Sequence, residues 1–196
     1  MKSPSMPYVV LGTGALVLAA VAACQQQPSS SQAASASAAA GETTPAKLLA
    51  TTVLPNLKDN ERALGDYTGA GGLLLVFVDI DSPDSNQAID EMSNVTGTLG
   101  GHGIETVLVN LDEEGKLLKA FYGGCNTGAH VVYDTGDATQ KAWKVESVPT
   151  LALFDATGEL QYRGGAVWDD VAAAAAKMLS LPAGSISFAH GCTEYG

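Results

Sequence analysis

Cysteine is scarce in this chain: Cys24, Cys125 and Cys192 are the only three, and no two stand close together. Three cysteines are too few for a disulfide scaffold, and without short-range pairs they do not make a zinc site. Positive charge is equally thin, with 10 Lys and Arg against 21 Asp and Glu and a formal net charge of −11. A surface of that sign is repelled by phosphates, which excludes nucleic acid as a partner. His102, His130 and His190 are the whole complement of histidine and stand apart from one another, so no histidine-based catalytic set is visible. Long apolar runs are missing as well, because Val9–Ala20 falls short of the roughly 20 residues that a membrane-spanning helix needs. What is present, 196 residues that are 46% hydrophobic, suits one globular domain of ordinary size with extra segments.

The extra segments come first. Lys2 is the only charge before the apolar stretch Val9–Ala20, and Val21-Ala22-Ala23-Cys24 follows it. That order is the one expected of an export signal, removed after translocation. Small residues directly before a cysteine resemble the lipobox of bacterial lipoproteins, which implies a signal peptide over 1–23 and a lipidated Cys24 as the new N-terminus. Each buried CH₂ of such lipid chains contributes about 0.8 kcal/mol, so several together hold a domain at a membrane. Gln25 resembles the residue that follows the lipidated position in lipoproteins sent to the outer membrane. The expected location is the bacterial envelope, lipid-anchored at the outer membrane and facing the periplasm. The rest of 24–45 is mostly Gln, Ser, Ala and Pro, with Glu42 its only charge and no periodic apolar face, and it reads as a flexible tether.

A folded domain is expected over 46–181, followed by a tail over 182–196. Gly71-Gly72 lead into the apolar run Leu73–Val78, a buried strand, and Ile89, Met92, Val95 and Leu99 then recur at helical spacing from Pro83 to the Gly100-Gly101 stop. A strand over Glu105–Asn110, a helix over Glu113–Phe121, a short strand His130–Tyr133 and a short helix Ala138–Trp143 follow. Val148–Phe154 reads as a third long strand with Pro149 near its start, Leu160–Arg163 as an antiparallel return, and Trp168–Leu181 as the last helix. Alternating strands and helices predict an α/β fold with a mainly parallel sheet.

The order of these elements, the lead-in Asp66-Tyr67-Thr68-Gly69, the strand to Val78 with its helix, and Val148-Pro149-Thr150 followed by Phe154-Asp155-Ala156-Thr157-Gly158 resemble the thioredoxin-like fold. The closest branch is that of membrane-anchored thiol-disulfide reductases and related redoxins. The resemblance spans about residues 54–181 and implies a three-layer sandwich, a central mixed β-sheet with helices on both faces. It also implies a cis Pro149 beside the redox site and a peptide-binding role for Val148 and Pro149. The departure lies at the site itself, for the two cysteines of the family's motif align with Ser82 and Ser85. A serine hydroxyl stays protonated where a helix N-terminus would ionise a thiol, and it cannot form a disulfide. Ser82-Pro83-Asp84-Ser85 suits a helix cap instead: Ser82 as N-cap, Pro83 at the first helical position, Asp84 on the favourable end of the dipole.

The expected role is therefore non-catalytic binding of an envelope protein or peptide, or assembly, with no metal and no cofactor. Other readings stay open. Cys125 and Cys192 could form a structural bridge that fastens the tail, or serve as relocated thiols of a thiol-disulfide oxidoreductase or a peroxidase-like protein; in peroxidase alignment the attacking cysteine falls on Ser85. Leu75–Ser82 also resembles the first motif of aspartate-based phosphatases, which implies Asp79 as nucleophile and Asp81 as acid/base beside magnesium. Asp79, Asp81 and Asp84 could form a simple cation site, although acidic strand ends are usually solvated.

Overall fold

The computed structural model describes residues 43–189. The expected signal peptide, Cys24, nearly all of the tether, His190 and Cys192 lie outside the described residues. In chain order the elements are α1 (Pro45–Thr51), β1 (Val53–Pro55), β2 (Glu61–Ala63), a 3-10 turn (Leu64–Tyr67), β3 (Gly72–Val78), α2 (Pro83–Gly100), β4 (Ile104–Asn110), α3 (Gly115–Tyr122), β5 (His130–Tyr133), α4 (Ala138–Trp143), β6 (Thr150–Phe154), β7 (Leu160–Gly164) and α5 (Trp168–Met178).

The architecture follows from β3, all seven residues of which are buried. A continuous apolar run of this kind is a strand covered on both faces. Because alternate side chains point to opposite faces, Leu74, Val76 and Val78 enter one core while Leu73, Leu75 and Phe77 enter the other. The first core is closed by Ile89, Met92 and Val95 of α2, Leu118 of α3 and Val171 and Ala175 of α5. The second is closed by Leu49 of α1, Leu64 and Tyr67 of the 3-10 turn and Trp143 of α4. The result is the expected three layers, with helices on both faces of a five-stranded sheet ordered β5-β4-β3-β6-β7.

The sheet is mixed, as the resemblance implies, where strand alternation alone suggests mostly parallel pairing. β3, β4 and β5 run parallel, whereas β3 to β6 and β6 to β7 are antiparallel. The chain leaves α4 at the end of the sheet where β3 finishes and enters β6 from there, so Phe77 pairs with Thr150. This reversal brings the segment just before β6 beside the end of β3 and the start of α2.

Several boundaries and elements differ from the sequence reading. β6 begins at Thr150, leaving Val148 and Pro149 ahead of the ladder, and α5 ends at Met178, after which Ser180 takes a positive φ of 56°. The hairpin β1–β2 and helix α1 were not anticipated from the sequence pattern; each is too short to carry a periodic signal. The described part of the tail, 182–189, is more firmly held than its composition suggests. Ile186 and Phe188 are 3% and 5% exposed, Phe188 meets the Trp168 ring edge-on at 6.0 Å, and the Asn94 side-chain amide donates to the Ala189 carbonyl at 2.7 Å.

Candidate functional site

Ser82, Pro83, Asp84 and Ser85 stand at the junction of β3 and α2 and form a completed helix cap. Ser82 is in an extended conformation (φ −87°, ψ 121°), its Oγ accepts from the Ser85 amide at 3.4 Å, Pro83 opens the helix and Asp84 lies in the first turn. The loop before the cap is tied to it: the Ser82 amide donates to the Asp79 carbonyl at 3.0 Å and the Asp81 amide to Asp79 Oδ1 at 2.8 Å. Ser85 is fully buried, and its hydroxyl accepts from the Asp79 amide at 3.3 Å. The Asn86 side-chain amide adds a bond to the Ile80 carbonyl at 3.0 Å. Both serine hydroxyls thus satisfy backbone amides, the task that a cap performs.

Across from this cap lies a groove of about 420 Å³. One wall is the face of α2 that carries Asp84, Ala88 and Glu91, and the other includes Val148, Pro149 and Trp168. The Val148–Pro149 peptide bond is cis, as the resemblance implies. Pro149 has no N–H to give. The N–H and C=O of Val148 have no hydrogen-bond partner among the described residues, because the ladder with β3 stops at the Phe77–Thr150 pair. An unpaired main-chain donor and acceptor beside a groove can take up an extended polypeptide by strand-like pairing.

The carboxylates of the junction divide into two sets. Asp79, Asp81 and Glu113 bring ligand oxygens within 4.8 Å of one another, a spacing at which three carboxylates can share a hard cation. Asp84 is not in this set and lines the groove instead, so the possible grouping of Asp79, Asp81 and Asp84 is not the one the fold brings together. Glu113 is buried, and its carboxyl is held above the ordinary range by desolvation first and then by the negative charges of Asp81, Asp79, Asp112 and Glu114. A phosphatase-type site would want a cation from the protein here, and none of the ion pairs among the described residues involves Asp79, Asp81 or Glu113.

The remaining candidates lie elsewhere. Cys125 follows α3 as an exposed thiol joined to no other cysteine among the described residues, its Sγ within 3.5 Å of the Phe121 carbonyl and with no activating side chain bonded to it among them. Its expected partner Cys192 is outside the described residues. His130 is paired with Glu105 at 3.5 Å and stacks on Tyr67 at 4.9 Å, far in character from a catalytic base. Trp143 and Trp168 are buried, and Trp168 also lines the groove.

Sequence reasoning missed Glu113 and Glu91. Both left a signal: Leu111-Asp112-Glu113-Glu114 continues the strand that pairs in parallel with β3, and Asp84, Ala88 and Glu91 recur at the i, i+4, i+7 spacing of one helix face.

The sequence matches no protein-family model and no curated protein. Solved structures do match. A secreted Mycobacterium tuberculosis disulfide oxidoreductase homologous to E. coli DsbE is 13% identical at a TM-score of 0.55, covering 64% of this chain and 95% of its own. A Chlorobium tepidum protein assigned as the thiol:disulfide interchange protein DsbE is 22% identical at a TM-score of 0.58, covering 65% and 92%. A thioredoxin-like protein from Aeropyrum pernix is 13% identical at a TM-score of 0.50, covering 60% and 82%. At these identities the likeness is one of fold, and with a mixed β5-β4-β3-β6-β7 sheet between helical layers and a cis proline entering β6, this chain has the thioredoxin-like fold.

Proposed function

We propose that this chain is an envelope lipoprotein, anchored through Cys24 and its tether at the outer membrane, whose thioredoxin-like domain binds an extended peptide or protein segment and carries out no dithiol chemistry at Ser82 and Ser85. The observation that carries the reading is the unpaired main chain of Val148 next to cis-Pro149, open to the groove. Strand addition at such an edge draws its affinity from main-chain hydrogen bonds and needs no thiol. The cap supports the second half of the reading, since both serine hydroxyls are engaged with backbone amides and an oxygen cannot form the mixed disulfide through which exchange proceeds.

An insulin-reduction assay with dithiothreitol tests the loss of redox chemistry. The unaltered protein gives no turnover above background, and a Ser82→Cys/Ser85→Cys variant, with its thiols at the N-terminus of α2, gains it. Robust turnover by the unaltered protein that survives Cys125→Ser and Cys192→Ser overturns the reading.

A structural bridge between Cys125 and Cys192 accompanies this proposal. Two contacts to α2 support it: the Thr96 hydroxyl, whose shortest bond is to the Met92 carbonyl at 2.7 Å, also lies 2.9 Å from the Thr127 carbonyl, and the Asn94 side-chain amide donates to the Ala189 carbonyl at 2.7 Å. The chain is thereby tethered two residues after one cysteine and three before the other. Mass spectrometry of the unreduced, digested protein yields the linked peptides; a link that mild reductant opens readily would favour a redox role for the pair instead.

A further inference from the structure

The groove beside Val148 has a sign. Asp84 and Glu91 lie seven residues apart on α2, about two turns or roughly 10 Å along its axis, and both line the groove. Neither takes part in an ion pair or a side-chain hydrogen bond among the described residues. Among the described residues no lysine, arginine or histidine lines the groove, and the charged groups that do are these two carboxylates. Asp84 is in the first turn of α2. The apolar part of the lining is Pro149 and Ala166 with the exposed edges of Ala88 and Trp168, beside the polar Gln87 and Ser147.

We infer that the segment this groove takes is basic: an extended stretch of polypeptide whose lysine or arginine lays its aliphatic stem over Ala88, Pro149 and Trp168 and its charged head between Asp84 and Glu91. The inference rests on the peptide-binding reading above and adds the chemical class of the ligand. Long basic side chains are suited to such a place, since their methylenes cover apolar surface while the head stays at a polar rim. The available 420 Å³ leaves room for one such side chain with its water. Selectivity has two sources. A basic segment finds the two unpaired carboxylates, while an acidic one meets them and the net charge of −11 with like charge, which slows encounter as well as weakening the complex. A neutral segment keeps the main-chain pairing alone.

The test presents a degenerate library of short peptides to the full chain and reads residue enrichment at each position among those retained. The expected result is enrichment of Lys and Arg at one position or two adjacent alternate ones, with Asp and Glu depleted there. In an Asp84→Asn/Glu91→Gln variant that enrichment disappears while peptides are still captured. The affinity of a selected basic peptide falls about tenfold in the variant, and for the unaltered protein it falls as salt is raised from about 0.05 M to about 0.5 M. Circular dichroism verifies that the variant is folded, and Glu91→Lys gives a second check by shifting preference toward acidic residues. Capture of peptides with Lys, Gln and Glu equally tolerated at every position overturns the basic selectivity and leaves the docking reading standing, as does an enrichment that persists in the double variant. Capture of no peptide at all overturns both.

Discussion

At the scale of the residue, the site is read best where one side chain has one local task. Ser82 as N-cap, Pro83 at the first helical position and Asp84 in the first turn are all found as the sequence order implies, because capping depends on neighbours within three or four residues. Glu113 is the counter-example. Its environment is made by burial and then by Asp81 and Asp79, more than thirty positions away, which the parallel register of two strand ends brings beside it. Its raised carboxyl gives a stability effect with a definite sign. As pH climbs through the ordinary carboxylate range, the unfolded chain releases this proton first while the folded chain keeps it, so the folded state loses stability until Glu113 too has ionised, and the loss then levels off. Glu113→Gln keeps the shape and removes the charge. Urea unfolding is expected to show the variant more stable than the unaltered protein at about pH 7, with the difference gone at about pH 3, below the ordinary carboxylate range. An equal difference at both pH values would count against the electrostatic cause.

At the scale of the element, the strongly periodic pieces were legible and the short or direction-dependent ones were not. The apolar run of β3 and the i, i+3, i+4 pattern of α2 each bury enough of one face to declare their type. Strand direction leaves no such mark, since β6 would show the same apolar run whether it ran parallel or antiparallel to β3. Val148-Pro149 was legible only through resemblance, and the segment proves to lie outside the ladder, not at its first rung. Gly72 shows how tightly these strands meet. It has φ +132°, and a Cβ built there would stand 2.2 Å from the Phe154 carbonyl oxygen at the far end of β6. Gly72→Ala must therefore separate β3 from β6 or twist the backbone out of a region that only glycine occupies comfortably. The expected cost is about 2–3 kcal/mol, read from the denaturation midpoint at unchanged slope. A variant within experimental error of the unaltered protein would show that the close approach is not enforced.

At the scale of the whole molecule, the tail completes the domain in a way that composition concealed. Ile186 and Phe188 are the few apolar residues in a polar stretch, yet both are buried, and Phe188 packs edge-on against Trp168, which also lines the groove. The same indole is thus shared between the core and the proposed binding surface. Phe188→Ala removes the ring that backs Trp168 and leaves a cavity beside it, at an expected cost of about 3 kcal/mol. If the groove binds peptide against Trp168, the variant also binds a selected basic peptide more weakly at temperatures where it is still folded, because the indole is no longer held in place. The contrast with Asp84→Asn/Glu91→Gln separates the two contributions: the carboxylate variant loses selectivity with little change in stability, while the Phe188 variant loses stability and affinity together and keeps its preference for basic residues. Peptide affinity and residue preference measured on both variants, alongside urea unfolding, check this. Unchanged affinity in a folded but destabilised Phe188→Ala would place the bound segment away from Trp168, against the Val148 main chain alone.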